Sequence, residues 1–191
     1  MYKEFSKEKI RKIEDEIEDF FKKNKRLDSY RIPNFDIIQL CSSLGFKMLS
    51  LNLPKEIDGI ILVKNGAKAI GVSNRVNPKD SRFVVAHELA HYIHASKGKA
   101  DADVIFAMKD SILHDKEKTD EENIMDLMAA AILVPQKMFV ADMKENEIKY
   151  VSSFEEAKNV SFGKIDSLAT KYNVNKIMII RRIYEVSCCV D

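Results

Sequence analysis

The run His87-Glu88-Leu89-Ala90-His91 decides how the rest of the chain is read. On a helix, histidines at i and i+4 lie one above the other on a single face, close enough for both imidazoles to bind one ion. The glutamate between them points off that stripe yet stays beside the metal position, where a carboxylate can act as general base toward water. The spacing therefore predicts a zinc site that carries its own base, Glu88. The helix itself is legible. Asn77 suits the N-cap, Pro78 the first helical position, and Asp80 the place of a reciprocal capping carboxylate. Gly98 is the natural stop. Leu89, Tyr92 and Ile93 flank the histidine stripe with apolar surface, so the helix is expected to be buried with its imidazoles facing a cleft.

A catalytic zinc usually takes three protein ligands and leaves a fourth position for water. His94 lies on the same stripe but seven residues beyond His87, about 10 Å along the axis, too far for one ion on a straight helix. The segment Thr119-Asp120-Glu121-Glu122 opens another strong helix, and there Glu122 is followed one turn later by Asp126. That pair allows Glu122 to bind the metal while Asp126 accepts the free ring N–H of a liganding histidine. Glu122 could instead close a capping box with Thr119, and Glu121 competes as a ligand on local grounds. Spacing alone leaves these alternatives open.

The background is that of an ordinary globular protein. The chain has 191 residues, 46% hydrophobic and 32% charged, with a net charge of +1. Its length suits a single domain over 1–191, with N-terminal helices at about 3–45 and a core at about 46–191. Near-neutral charge argues against a polyanion-binding surface, so direct nucleic-acid binding is not expected. No apolar run approaches membrane-spanning length, and the first residues, Met1-Tyr2-Lys3-Glu4-Phe5-Ser6, are too charged for a secretory signal. Cys41, Cys188 and Cys189 form no zinc or disulfide framework, and cytoplasmic residence follows.

Outward from the motif, Ile10, Ile13, Ile17 and Phe20 mark an amphipathic helix within 3–25. A second helix opens at Pro33 and closes at Gly45. Phe46 to Leu51 and Gly59 to Val63 read as strands, and Lys64-Asn65-Gly66 as a hairpin turn with Ala67 to Val72 returning. A short antiparallel sheet beside the metal helix is the expected layout, and its hairpin could take an extended substrate as an added strand. Residues 99–118 lack a period and read as a long loop that could overhang the site. Helices follow from Thr119 to Pro135, from Pro135 through Phe139, and over 154–159, 164–172 and 176–186.

Two stretches resemble the ImmA/IrrE metallopeptidases. Arg82-Phe83-Val84-Val85-Ala86-His87-Glu88-Leu89-Ala90-His91-Tyr92 is similar to that family's zinc helix. Glu122-Asn123-Ile124-Met125-Asp126-Leu127-Met128-Ala129-Ala130-Ala131-Ile132-Leu133-Val134-Pro135 is similar to its second motif. Residues 168–183 resemble the family's closing helices. Met125, Met128 and Val134 depart from the usual Ala, Phe and Met, all of them packing substitutions. The resemblance implies a small zincin-like α+β domain, mostly helical. It puts Zn2+ on His87, His91 and Glu122 rather than Glu121, with Asp126 behind a histidine. It also implies a protein substrate, a helix-turn-helix repressor of a phage or mobile element.

The reaction expected is peptide-bond hydrolysis, with Glu88 taking a proton from water and passing it to the leaving amine. Tyr92, Tyr150 and His114 are candidates for a further oxyanion donor. Two other readings compete. One is DNA binding through a helix-turn-helix at 168–182, carried by Arg181 and Arg182 although the second helix is mostly core-forming. The other is a zinc-containing regulator that binds a repressor without cleaving it.

Overall fold

The computed structural model describes residues 4–96, 104–109 and 119–189. The chain falls into two compact units, one spanning Asp36–Ala129 and the other Tyr2–Phe35 together with Ala130–Asp191. This grouping differs from a division near residue 45. The N-terminal helix joins the C-terminal third, because its apolar stripe and Glu14 are buried against the last helix.

The first unit is α+β. Helix α1 (Lys7–Lys23) and the short α2 (Leu27–Tyr30) precede it in the chain, and it opens with α3 (Ile37–Ser43). The Asp36 side chain, not Pro33, starts α3, because it accepts from the amides of Ile38 and Gln39 at 2.9 and 3.0 Å. Strands β1 (Lys47–Leu51), β2 (Ile57–Lys64) and β3 (Ala67–Ser73) follow, then helix α4 (Pro78–Ala95) and strand β4 (Val104–Lys109). In α4 every residue from Phe83 to Ile93 is buried. Helix α5 (Asp120–Leu133) begins in this unit.

The hairpin forms as its turn requires. Lys64 pairs with Ala67, so Asn65-Gly66 is a two-residue connection, and both residues have positive φ (51° and 79°). That is the geometry whose twist matches the flanking strands, and Asn-Gly adopts it at little cost. Ile61, Val63 and Ile70 turn inward with almost no exposure.

Three expectations are corrected here. The sheet is mixed, ordered β1-β3-β2-β4, with β1 parallel to β3 and the remaining pairs antiparallel. The connection of residues 52–56 is short, so β1 and β2 run in opposite directions, and β3, which lies between them, must then be parallel to β1. Both edges of the hairpin are paired, by β1 and by β4, so it offers no free edge for an added strand. Within 99–118, residues 104–109 form a strand, because the sequence Val104-Ile105-Phe106 has high β propensity and β2 has an open edge to pair with. The rest of that stretch, and Gly98 before it, lie outside the described residues. Helix α4 ends at Ala95 with Ser96 as its C-cap.

The second unit is helical: α1, α2, the end of α5, then α6 (Gln136–Glu145), α7 (Phe154–Lys158), α8 (Phe162–Tyr172) and α9 (Lys176–Cys189). Pro135 ends α5 and serves as N-cap of α6. Ile10, Ile13, Ile17 and Phe21 bury the stripe of α1. The centre of this unit is polar. Arg182, with no exposure, donates to Glu14 (2.6 Å), Glu185 (2.9 Å) and the carbonyl of Val134 (3.1 Å). Among the described residues no single helix is long and apolar enough to cross a membrane.

Candidate metal centre

Helix α4 is started firmly. The Asn77 side chain accepts from the amides of Lys79 and Asp80, both at 3.0 Å, and its amide group donates to the Asp80 carboxylate. From that fixed start the 3.6-residue repeat carries His87 and His91 to one face, with ring centroids 5.0 Å apart. Both are buried, as is Glu88.

Helix α5 supplies the facing carboxylates. Thr119 Oγ1 accepts from the amide of Glu122 at 3.2 Å, which is half of a capping box. The other half is not made by the Glu122 carboxylate, which turns instead to the histidines. Its Oε2 stands 3.0 Å from His87 Nε2 and its Oε1 3.6 Å from His91 Nε2. Asp126, one turn on, meets His87 Nδ1 at 3.0 Å. Among the described residues, His87, His91 and Glu122 form the group of three able to share a metal, their donor atoms all lying within 4.8 Å of one another. His94 and Glu121 are outside it, and the Glu121 side chain is exposed.

The electrostatics follow from this geometry. Burial pulls the His87 imidazole down, but hydrogen bonds to Asp126 and Glu122 outweigh it and raise its pKa to about 9. Burial, and then the charge of His87, push His91 down to about 4. Burial pushes the Glu122 carboxyl up, yet the hydrogen bond from His87 leaves it below its ordinary value. Without metal, a protonated His87 bonded to carboxylates on both sides is the favoured state. Its Nε2 proton then occupies the direction in which a cation would bind.

The donors fit such a cation. Two ligands each about 2.1 Å from a tetrahedral ion stand about 3.4 Å apart. Glu122 reaches the two imidazoles through its two oxygens, Oε2 to His87 at 3.0 Å and Oε1 to His91 at 3.6 Å, separations near that value. Three carboxylates, Glu88, Glu122 and Asp126, lie with two imidazoles, a donor-rich group of the kind that suits a divalent cation.

The chain matches the family model of the M78 peptidases, described as the IrrE N-terminal-like domain, over residues 41–184. It belongs to that family. No curated protein matches the chain. The M78 match begins in α3 and runs through the sheet, α4 and α5 into α9, so it takes in the whole sheet as well as both helices of the metal group. A metallopeptidase-type function follows from the family, with a group near enough to bind a metal already assembled.

Other residues of interest fall elsewhere. The Tyr92 hydroxyl accepts from the Lys68 ammonium at 2.7 Å, and its ring packs edge-on against Phe46. Tyr150 is exposed in the second unit, and His114 lies outside the described residues. One residue escaped the sequence reading. Gly59 of β2 lies so close to α4 that a methyl group placed on it would sit 2.7 Å from Glu88 Oε1. A glycine inside an otherwise apolar strand is the signal that could have revealed it.

Proposed function

We propose that this chain is a zinc-dependent endopeptidase of the cytoplasm, with His87, His91 and Glu122 as the metal ligands and Glu88 as general base. One observation carries the reading: two imidazoles and a carboxylate converge within 4.8 Å while the carboxylate of Glu88 stands on the adjoining face of the same helix. A mixed set of nitrogen and oxygen donors favours zinc over the hard cations, which prefer all-oxygen sites. When bound, zinc would polarise the scissile carbonyl and make a nearby water more acidic. Glu88 accepts the proton of the attacking water and delivers it to the leaving amine nitrogen as the peptide bond breaks. Asp126 accepts the Nδ1 proton of His87, which fixes the tautomer and leaves Nε2 for the metal. The protein substrate we favour is a helix-turn-helix repressor, on the strength of the family resemblance.

The arginines that would have favoured DNA binding are engaged internally, which counts against that alternative. Arg182 is buried in its carboxylate pair, and Arg181 Nε donates to Glu185 Oε1 at 2.5 Å. No observation singles out the non-proteolytic regulator.

Mass spectrometry of metal content, for wild type and Glu122→Ala, tests the site; about one zinc per chain with marked loss in the variant is expected. Glu88→Gln should keep its zinc and lose repressor cleavage by ~100-fold or more. A Glu88→Gln protein that inactivates a repressor as well as wild type does would end the peptidase reading in favour of regulation by binding.

A further inference from the structure

Helix α4 has two adjoining stripes. His87 and His91 form one, facing α5, and Val84 and Glu88, also four residues apart, form the next, facing β2. Gly59 of β2 lies against this second stripe. A Cβ built on it would be 2.5 Å from Val84 Cγ1, 2.7 Å from Glu88 Oε1 and 3.2 Å from Glu88 Cγ. No carbon fits at such distances, so any other residue at position 59 must push the glutamate, the valine or the strand aside.

The backbone conformation gives no reason for a glycine there. Among the described residues the glycines with positive φ are Gly45 and Gly66; Gly59 sits in ordinary extended backbone that any residue adopts. A glycine inside a strand weakens it, so the missing side chain must serve the close approach itself. The strand is held at that approach from outside. The Arg75 guanidinium donates to the carbonyls of Pro54 (2.6 Å), Lys55 (3.1 Å), Ile57 (3.2 Å) and Leu53 (3.3 Å), tying down the segment that enters β2. Between Ile57 and Gly59 the pairing with β4 shifts register, an irregularity of the kind that re-aims a strand beside a functional site.

We infer that Gly59 is a positioning residue for the general base: the bare backbone of β2 forms the wall that sets where the Glu88 carboxylate stands beside the metal ligands. This rests on the role of Glu88 proposed above. Gly71 supplies the contrast. A Cβ there would meet the side chains of Leu51 and Ile60, so the close approach at Gly71 is apolar packing with no carboxylate involved.

Two measurements test the inference. The first is thermodynamic coupling from melting temperatures: Gly59→Ala in the wild-type background and again in Glu88→Ala, with Val84→Ala added to both so that the valine contact does not unfold the protein. The loss caused by Gly59→Ala should shrink by half or more once the glutamate side chain is gone. An equal loss in both backgrounds overturns the inference. The second is the visible spectrum of the cobalt-loaded protein at one pH. Gly59→Ala/Val84→Ala should hold cobalt at the wild-type stoichiometry and move the absorption bands in the same sense as Glu88→Gln. Gly71→Ala should melt lower with the wild-type spectrum. Bands that Glu88→Gln moves and Gly59→Ala/Val84→Ala leaves in place overturn the inference as well. Failure of wild type to bind cobalt would instead remove the metal reading of the site, and the coupling of residues 59 and 88 would still decide whether β2 seats that side chain.

Discussion

Each compact unit buries a polar network, and the two networks are built on opposite principles. Around Arg182 the donors and acceptors close on themselves. Two guanidinium groups, Arg181 and Arg182, meet two carboxylates, Glu14 and Glu185, and the remaining Nε–H of Arg182 is taken by the Val134 carbonyl. Around His87 the sum does not close. Glu88, Glu122 and Asp126 bring three carboxylates to two imidazoles, and His87 alone meets two of them. A closed network holds helices together; an open one is poised for a cation from outside. Buried charge by itself therefore identifies neither function nor stability, and the balance of the group does.

The closed network should give the larger stability effect when broken. Arg182→Met leaves Glu14 and Glu185 buried without their cation, and is expected to cost about 3–5 kcal/mol by urea unfolding. Replacing the three together, Arg182→Met/Glu14→Leu/Glu185→Leu, should recover much of that loss. A single variant as stable as wild type would mean that water reaches the carboxylates and that the contrast between the networks is overstated.

The open network should show itself in its response to pH. The folded pKa of His87, about 9, lies above the ordinary imidazole value of 6.5. Its contribution to the metal-free protein is thus complete below 6.5 and lost as pH rises through 9. His91 is held at about 4, so its contribution is complete above 6.5 and lost as pH falls through 4. The metal-free protein should melt highest near pH 6.5 and lower on either side. Zinc affinity should climb between 6.5 and 9, because ligation displaces the His87 proton. Melting curves with and without zinc across that range check both statements. A metal-free melting temperature that stays level from 6.5 to 9 would show that His87 is already neutral there.

How much of this was legible depended on range along the chain. The N-cap of α4, the Asn65-Gly66 turn and the histidine stripe are written within a few residues, and each formed as local rules require. Glu122 was readable as a ligand only with its resemblance, since the Thr119 cap explained it equally well until the side chain was seen turning to the imidazoles. The partnership of Glu14 with Arg182 spans 168 residues and has no local signature. That is why Arg181 and Arg182 read as a possible DNA-facing pair. Strand β4 hid among charged neighbours, being six residues long and dependent on the open edge of β2 for its pairing. Gly59 hid for the opposite reason: its backbone is ordinary, and what makes it special is its closeness to Val84 and Glu88 on a later helix.

A subtler test separates holding a ligand from being one. Asp126→Asn keeps the size and an acceptor for His87 Nδ1 but removes the charge behind the imidazole. Zinc affinity should fall about 10–100-fold, as when the hydrogen-bonding partner of a metal-bound histidine is lost. Competition with a chromophoric chelator measures it. Loss of all zinc would make Asp126 a ligand, and unchanged affinity would leave the 3.0 Å contact without a role in ligation.

The smallest effect expected is at the start of α4. Asn77→Ala removes the acceptor for the amides of Lys79 and Asp80 and should cost about 1 kcal/mol. It should leave zinc affinity unchanged, because the histidines are about three to four turns away and α4 is buried continuously from Phe83 to Ile93. The open network depends on a rigid spacing between two helices, and that spacing is set by packing along the buried half of α4 rather than by its cap. If Asn77→Ala weakened zinc binding along with stability, the cap would be part of the site, and the open network would prove as dependent on the surrounding fold as the closed one.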